Sequence, residues 1–262
     1  MKTELPQIYR IEKIITEAKD VKTFVFKGKI GAKPGQFVAV WLPGKNEKPF
    51  GISYQDNEKF AVTVRAVGPF SREMHALKSG DKLGIRGPYG THYKLEGKQI
   101  ALVAGGYGAA PLAFLANEAR KKKIKVDFVI GAKSKQQIIF EKRMKNAGVK
   151  VHIATEDGSC GKKCFSTDIL ETLLKKNNYS KVFACGPELM MKKVVGLSNG
   201  IPCEISMERY IKCGIGVCGS CCVDHLGIRM CKEGPVISKE LAKKIFEFGK
   251  YKRDAAGRKV HI

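Results

Sequence analysis

Short apolar runs separated by turn residues fill the chain up to residue 97. The runs are rich in β-branched and aromatic residues, and turns such as Lys33-Pro34-Gly35 interrupt them, which is typical of strands. The pattern predicts one helix at 70–77 and strands at 8–15, 23–26, 36–41, 60–67 and 82–86. Residues 1–97 are therefore predicted to form an antiparallel β-barrel.

From residue 99 the pattern changes to an alternation of apolar runs and segments with helical periodicity. The apolar runs predict strands at 100–104, 126–130, 149–154 and 182–185. The segments with helical periodicity predict helices at 112–122, 138–147, 167–176 and 188–195. Strands that alternate with helices pair side by side in the same direction, so residues 98–200 are predicted to form a doubly wound α/β domain with a parallel sheet.

The alternation ends near residue 201, and a third region, 201–262, follows. Its segment 203–208 leads into a loop rich in cysteine and glycine, and its tail beyond Gly234-Pro235 is basic and mixed in character. The tail contains one segment, 241–248, that predicts a helix. The third region is thus expected to be a small module built around the cysteine loop.

A glycine turn follows the first strand of the α/β region. It reads Gly105-Gly106-Tyr107-Gly108-Ala109-Ala110-Pro111. Such a turn brings backbone N–H groups and a helix N-terminus towards a phosphate, and Pro111 suits a first helical turn. Tight turns between a strand and a helix also use glycine without any ligand, so a purely structural role stays open.

Four cysteines near the carboxyl end follow a C-x4-C-x2-C-x9-C spacing: Cys213, Cys218, Cys221 and Cys231. This is the plant-type spacing of a [2Fe-2S] cluster, which four thiolates hold. The intervening glycines let a short loop curl so that backbone N–H groups face the sulfur atoms. Structural zinc also takes four thiolates, although it usually uses two separated pairs, and it remains the alternative. Cys222 is expected to be a small buried residue rather than a ligand.

Composition describes a basic globular protein. The chain has 262 residues, 44% of them hydrophobic, and 48 Lys and Arg against 25 Asp and Glu give a formal charge of +23. Such a charge is compatible with a nucleic-acid partner or an acidic protein partner. The basic residues are scattered, the longest run is only Lys121-Lys122-Lys123, and no basic patch with interleaved aromatic residues occurs. We therefore expect no nucleic-acid partner and a solvated basic surface that suits an acidic protein.

The cysteines and the distribution of apolar residues bear on the cellular location of the protein and on whether it spans a membrane. The chain has nine cysteines, and its first twenty residues contain no apolar signal core, which favours the reducing cytoplasm. The uncharged run 100–116 is nearly long enough for a membrane span, but Gly105, Gly106, Gly108 and Pro111 interrupt it. No membrane span is expected.

With a barrel, a nucleotide fold and a cysteine loop in this order, the chain resembles the electron-transfer subunits of NAD-linked (class 1B) dihydroorotate dehydrogenases. These subunits are ferredoxin-reductase-like flavoproteins. The likeness covers essentially the whole chain, and its most specific segments are 207–222 and Cys231-Lys-Glu-Gly-Pro-Val236. The resemblance implies that the barrel binds FAD, that the α/β domain binds NAD(H), and that the cysteine loop carries a [2Fe-2S] cluster.

The resemblance also assigns binding residues. The flavin motif R-x-[YFI]-S of the family falls on Lys48, Pro49, Phe50 and Gly51, so lysine replaces the arginine and glycine replaces the serine. Two further flavin segments fall on Thr63, Val64 and Arg65, and on Gly68, Pro69, Phe70 and Ser71. The pyridine-nucleotide segments fall on Gly105, Gly106 and Gly108, and on Cys185, Gly186 and Pro187. Cys185 is then expected near the nicotinamide, with a buried structural cysteine as the alternative.

Function follows from the cofactor order, because nicotinamide exchanges electrons in pairs, an iron–sulfur cluster passes them singly, and a flavin does both. The resemblance predicts transfer between NAD(H) and a catalytic subunit that carries FMN and oxidises dihydroorotate for pyrimidine synthesis, within a hetero-oligomer that we expect to be a heterotetramer. A reductase subunit for a hydrogenase, a sulfide-linked enzyme or an oxygenase is the alternative, and a zinc-stapled nucleic-acid-binding protein is a more remote one. The preference for NADH or NADPH stays open. Lys133 and Lys135 follow the second strand of the domain, where a basic residue could bind the 2′-phosphate of NADPH, but lysines occur throughout this chain.

Overall fold

The computed structural model describes residues 5–262. Residues 1–4, which begin both the predicted barrel region and the segment searched for a signal core, lie outside the described residues. No helix within 5–262 is sufficiently long and apolar to cross a bilayer.

Six antiparallel strands close into a barrel in the order β1-β2-β5-β4-β3-β6, which confirms the predicted barrel. The strands are β1 (Gln7–Ala18), β2 (Val21–Lys27), β3 (Phe37–Trp41), β4 (Glu47–Gln55), β5 (Lys59–Arg65) and β6 (Lys82–Tyr89), and helix α1 (Pro69–Ala76) follows β5. Phe24, Phe26 and Phe60 are completely buried at the centre of the barrel. Alternate residues of β2 and β5 face this core, as the sequence pattern predicts.

Strand β4 is absent from the sequence-based prediction. Its first half contains Pro49 and Gly51, two residues that are rare in strands, and is only partly buried. Tertiary pairing imposes the strand, since β4 lies between β3 and β5 and pairs Lys48 with Val40 and Gly51 with Phe37. The segment assigned to flavin is therefore part of the barrel wall and not a loop.

The second layer is a seven-stranded sheet in the order β10-β9-β8-β7-β11-β12-β13. Its strands are β7 (Gln99–Gly105), β8 (Lys125–Ala132), β9 (Lys150–Thr155), β10 (Lys162–Lys163), β11 (Lys181–Cys185), β12 (Cys203–Ser206) and β13 (Val236–Ser238). The helices around it are α2 (Ala109–Lys121), α3 (Glu141–Asn146), α4 (Ser166–Lys176) and α5 (Glu188–Leu197). All neighbouring strands except β12 and β13 are parallel, which confirms the predicted sheet.

Helix α3 is shorter than the predicted helix 138–147. Ile138 is extended, and Phe140 has a φ of 67°, so the helical conformation begins only at Glu141. The ring of Phe140 is buried, and the guanidinium of Arg143 lies 3.9 Å from the ring centroid. Burial of the Phe140 ring thus favours a non-helical backbone at this residue, although the local sequence favours a helix.

The third region begins with two strands of the large sheet, β12 and β13, which enclose the cysteine loop between them. It then forms helix α6 (Lys239–Lys244) and a hairpin of β14 (Tyr251–Arg253) and β15 (Lys259–His261). The predicted helix 241–248 is wrong in its second half, because the backbone becomes extended at Ile245. There Glu247 turns inward to a buried arginine and Phe248 enters the core. The division near residue 200 stays a prediction.

Candidate functional site

A cavity of about 660 Å³ lies at the carboxyl ends of the central parallel strands, where open α/β sheets bind ligands. One end is lined by residues that follow β8 and β9, including Lys133, Gln137 and Glu156. The other end is lined by Arg65 of the barrel, by Glu208, and by Lys252 and Ile262 of the tail. This cleft is therefore bounded by all three regions of the chain.

Two glycine-containing turns form the floor of the cleft, in backbone contact. A Cβ atom added to Gly108 would lie 2.3 Å from the carbonyl oxygen of Cys185, and one added to Gly186 would lie 2.8 Å from the Cα of Gly105. One added to Gly105 would lie 2.5 Å from Pro187. The glycines that the sequence singles out at 105, 108 and 186 are thus required for this packing. Gly106, in contrast, has a φ of +55° and open space where a side chain would project.

Cys185 ends β11, directly before Gly186 and Pro187, which line the cleft. Its thiol is buried, and burial raises its pKa well above the ordinary value, so it is a neutral thiol. The phenol of Tyr107 lies 3.5 Å from Oε2 of Glu208. The carboxylate of Glu208, followed by burial, raises the pKa of Tyr107 to about 12.

Glu208 reaches the cleft from the segment after β12. Burial raises the pKa of its carboxyl group, and the ammonium of Lys252 opposes this rise. Protein atoms surround the side chain on several sides. The residue is nevertheless exposed, because the cleft is open to solvent. The cleft thus holds the carboxyl group of Glu208, whose pKa is raised, and beside it the ammonium of Lys252.

The barrel face beside the cleft carries the first and third flavin segments. The rings of Phe50 and Phe70 stack at 6.0 Å with an interplanar angle of 22°. Nothing lies within 4 Å of a Cβ atom added to Gly51 or Gly68, so open space adjoins both. The amide groups of the first turn of α1 have no partner within the helix and suit a phosphate. An open face with stacked rings, amide donors and the ammonium of Lys48 fits an aromatic diphosphate cofactor such as FAD.

The second flavin segment divides between the core and the cleft. Val64 is fully buried in the barrel, and the hydroxyl of Thr63 donates to Oγ of Ser53 at 2.9 Å. Arg65 faces the cleft, where it pairs with Asp20 at 2.7 Å and lies 5.8 Å from the centroid of the Tyr107 ring. Arg65 is thus the member of this segment whose side chain reaches the cleft.

Ser71 turns inward and serves its own helix. Its hydroxyl oxygen accepts from the backbone N–H groups of Val67 and Gly68 at 2.9 Å, and it donates to the carbonyl oxygen of Gly68. The hydroxyl thereby fixes the turn that leads into α1. Its contribution to a ligand would be the shape of this turn.

The cysteine loop places its four predicted ligands as two pairs. Cys213 lies beside Cys218, and Cys221 lies beside Cys231. Within residues 5–262 no group of three or more histidine, cysteine or acidic side chains is placed to hold a metal ion. Two pairs are the arrangement that a binuclear cluster uses, since each iron takes two thiolates.

Backbone donors favour thiolate sulfur at Cys213, whereas burial raises the pKa of Cys231 to about 12. Burial alone would raise the pKa of Cys213, but N–H groups of Cys218, Ile215 and Val217 lower it to about 6. The N–H of Cys231 also donates to Sγ of Cys221 at 3.4 Å. Gly214, Gly216 and Gly219 all have positive φ angles, which is how so short a loop turns its amides inward. The donor set fits a [2Fe-2S] cluster.

One side of the cysteine loop faces solvent. Cys218 is exposed and Val217 is 79% exposed, whereas Cys221 and Cys231 are buried. On the inner side, Nζ of Lys48 lies 3.5 Å from the hydroxyl of Tyr210, three residues before Cys213. The loop therefore lies between the barrel face and the surface. Cys222 is half-buried rather than buried as predicted, and its thiol donates to the carbonyl oxygen of Gly227 at 3.8 Å. Burial, followed by Cys221, raises its pKa.

A buried ionic network joins the cleft to the cysteine loop. Arg209 bonds to the carboxylates of Glu188, which follows the Cys185-Gly186-Pro187 turn, and Glu247. Glu247 also accepts from the N–H of Asp224 at 3.0 Å. The side chains of all three charged residues are at most 7% exposed. The network fixes the loop relative to the nucleotide turn.

Several residues that hold the site were missed from the sequence. Arg86 donates to the backbone carbonyl oxygen of Cys213 at 2.9 Å and pairs with Glu47 at 2.7 Å. Like Lys252, both lie outside every recognised motif, and only the fold brings them to the site. Glu188 is different, because its position directly after the Cys185-Gly186-Pro187 turn was a usable signal. Glu208 and Tyr210 lie inside the 207–222 segment, but no spacing rule assigns them a role.

Two family profiles match the chain. Residues 208–241 match the iron–sulfur cluster binding domain of dihydroorotate dehydrogenase B. Residues 102–196 match the oxidoreductase NAD-binding domain. The first match spans the cysteine loop and the second spans the cleft floor.

Curated relatives match along nearly the whole chain. A protein of Methanocaldococcus jannaschii is 47% identical over 260 residues, covering 98% of this chain and 99% of the relative. One of Methanocella arvoryzae is 44% identical over 264 residues, covering 96% and 97%. Both are named as the probable electron transfer subunit of NAD(+)-linked dihydroorotate dehydrogenase B.

Solved structures show the same fold. An NADH-dependent reduced ferredoxin-NADP oxidoreductase, described in work on flavin-based electron bifurcation, superposes with a TM-score of 0.81 at 27% identity, over 92% of this chain and 90% of that one. The FAD/NAD binding domain of nitric oxide dioxygenase from Vibrio cholerae superposes with a TM-score of 0.64 at 18% identity, over 75% and 94%. The second likeness concerns the fold alone.

Proposed function

The chain belongs to the family of electron transfer subunits of NAD(+)-linked dihydroorotate dehydrogenase B, and we propose that it exchanges electrons between NAD(H) and a catalytic subunit that oxidises dihydroorotate. The observation that carries this proposal is the continuity of the cleft, the barrel face and the cysteine loop. FAD supplies the conversion between electron pairs and single electrons, and a [2Fe-2S] cluster supplies single-electron transfer.

The four predicted cysteines hold the cluster: Cys213 and Cys218 on one iron, and Cys221 and Cys231 on the other. Their backbone donors stabilise the thiolates, and the two buried cysteines exclude water from one side. The side with Cys218 and Val217 faces the partner, because it is the exposed side of the loop. Cys222 takes no part in ligation.

FAD occupies the barrel face. Lys48, Gly51 and the first turn of α1 with Gly68 and Ser71 hold its diphosphate, through an ammonium, open backbone and amide donors. Phe50 and Phe70 flank its rings, while Pro49, Thr63 and Val64 shape the strands behind them. Arg65 stands at the junction with the cleft, where it positions the isoalloxazine end of the flavin against Tyr107.

NAD(H) occupies the cleft. The turn of Gly105, Gly106 and Gly108 presents backbone amides at the start of α2 to its diphosphate. The turn of Cys185, Gly186 and Pro187 supports the nicotinamide through Gly186 and Pro187, which line the cleft, while the neutral thiol of Cys185 is buried in the core. The chain binds and orients the nucleotide, and none of these groups acts as an acid or base in our proposal.

The partner is a catalytic subunit that carries FMN, and the two kinds of subunit form a heterotetramer. Reducing cytoplasm is the proposed location, which is supported by nine cysteines that are all free of disulfides. Oxidation of dihydroorotate on the partner would supply two electrons, and NAD(+) would be their final acceptor.

Co-purification tests this function. The chain, tagged and expressed with a candidate dihydroorotate-oxidising subunit under anaerobic conditions, is expected to capture it and to restore NAD(+)-dependent turnover of dihydroorotate. The matched control is the same mixture with Cys221→Ser, at a buried ligand, which should keep the complex and lose NAD(+) reduction. Capture of a hydrogenase or oxygenase component in place of the dihydroorotate enzyme would contradict the proposal.

A further inference from the structure

The hairpin of β14 and β15 closes one end of the nucleotide cleft. Lys252 of β14 and Ile262, which follows β15, both line the cavity. The hairpin is far from the recognised nucleotide motifs in sequence, and the family profiles end before it, at residue 241. The hairpin therefore supplies a part of the cleft wall that lies outside both profile matches.

Strand geometry points Lys252 into the cleft. Tyr251 and Arg253 both bond to Asp224, the first at 2.6 Å through its hydroxyl and the second through two contacts of 3.0 Å. Successive side chains of a strand face opposite sides, so Lys252 between them faces away from Asp224. The anchor on one side of β14 thereby fixes the direction of the ammonium on the other.

Lys252 is available for a ligand. Two other cations of the cleft are committed: Arg65 pairs with Asp20 at 2.7 Å and Lys193 with Asp168 at 2.8 Å. Across residues 5–262 no ion pair joins Lys252 to a carboxylate, although its charge acts on the carboxyl group of Glu208. An anchored cation at the wall of a cleft attracts an anion.

Resting on the proposed NAD(H) site, we propose that Lys252 is a positioning residue that binds the phosphate on the nicotinamide side of the dinucleotide. The Tyr107, Gly186 and Glu208 end of the cleft is the end that Lys252 lines, whereas Lys133 and Gln137 line the other end. The tail thus selects ligands that carry a phosphate next to the nicotinamide ribose. Arg253 supports this contact indirectly, by holding β14 against Asp224.

Calorimetric titration of the oxidised, flavin-loaded and cluster-loaded protein with NAD(+) tests the proposal. Oxidised protein and NAD(+) exchange no electrons, so the titration measures binding alone. Lys252→Ala should weaken NAD(+) binding about tenfold, as expected for one charged hydrogen bond, while Lys252→Arg should stay within about threefold of the unmodified protein. Arg253→Gln should weaken binding about threefold. The matched control is Lys244→Ala, which removes an exposed cation of the same region outside the cleft and should leave affinity unchanged.

Fragments locate the contact. Nicotinamide mononucleotide should lose affinity for Lys252→Ala, while 5′-AMP should bind it as it binds the unmodified protein. Equal NAD(+) affinity of Lys252→Ala and the unmodified protein would overturn the proposal, as would tighter binding, which would mean that the tail obstructs the cleft. Failure of the unmodified protein to bind NAD(+) would instead overturn the proposed nucleotide site itself. Equal flavin and iron contents of all variants establish that each comparison concerns the cleft.

Discussion

The guanidinium of Arg86 donates to the backbone carbonyl oxygen of Cys213 at 2.9 Å. Arg86 lies on β6 of the barrel, and a two-contact ion pair with Glu47 of β4 at 2.7 and 2.5 Å fixes its orientation. The guanidinium side chain is only 12% exposed. A barrel strand thereby holds the first predicted cluster ligand directly, and the distance between flavin and cluster depends on this contact.

Replacement of Arg86 by alanine should release the cysteine loop from the barrel. Glu47 would keep a partly buried charge without the guanidinium that pairs with it. We therefore expect a loss of about 1–3 kcal/mol in the free energy of unfolding. Iron content and the electron paramagnetic resonance signal of the reduced cluster should fall while flavin content is retained. The control is Lys59→Ala, which removes an exposed ion pair with Glu12 and should cost less than about 1 kcal/mol. An unchanged cluster signal in Arg86→Ala would contradict the role.

Serine substitution distinguishes the four cluster ligands from their neighbour. Cys213→Ser, Cys218→Ser, Cys221→Ser and Cys231→Ser should each lose most of the iron, because a hydroxyl is a far weaker ligand than a thiolate. Cys222→Ser should retain iron and the visible spectrum. Metal analysis and absorbance of anaerobically purified variants measure this. Iron loss in Cys222→Ser together with retention in Cys231→Ser would refute the assignment.

The glycine turn is expected to tolerate a methyl group at one position and not at another. Gly108→Ala would place its Cβ 2.3 Å from the Cys185 carbonyl oxygen, so the turn must move and NAD(+) affinity should fall more than tenfold. Gly106→Ala meets no atom within 4 Å and bears only the strain of a positive φ, about 1–2 kcal/mol. Titration with NAD(+) compares them. A Gly106→Ala defect larger than that of Gly108→Ala would contradict the packing argument.

Stability should depend on pH through Glu208. Burial raises its pKa, with Lys252 and Tyr107 opposing the rise, Glu188 adding to it, and Cys185 lying nearby. The folded chain therefore binds more protons than the unfolded chain between the ordinary and the raised pKa, and stability falls as pH rises through that interval. Glu208→Gln removes this loss.

Thermal unfolding at a series of pH values from the ordinary carboxyl pKa upward measures the effect. The melting temperature of Glu208→Gln relative to the unmodified protein should rise with pH and then level off. Glu58→Gln, at an exposed barrel turn, is the control and should show a constant difference. A relative melting temperature of Glu208→Gln that falls as pH rises would mean that the native environment favours the charged form.

Much of the fold is predictable because its signals are local. The apolar runs around Val103 and Val129 identify buried parallel strands, and the C-x4-C-x2-C-x9-C spacing places the sulfur atoms on one loop. Strand β4 was not predictable, since Pro49 and Gly51 oppose a strand and only pairing with β3 and β5 enforces one. Local preference and tertiary pairing disagree at this one wall of the barrel.

The supporting residues of the site depend on contacts that no sequence pattern encodes. Arg86 and Cys213 are separated by 127 residues, and Arg209 and Glu247 by 38. Lys252 acquires its direction only from the anchoring of its neighbours on Asp224, as the strand pairing defines. Ligand motifs are local in sequence, whereas the contacts that orient them are not.

The most direct measurement is the visible spectrum of anaerobically purified protein, with iron, zinc and flavin analysis of the same sample. The account predicts a brown protein with about one flavin and about two irons per chain, whose flavin and cluster absorption bleaches when NADH is added. A colourless protein that contains stoichiometric zinc and no flavin would contradict it.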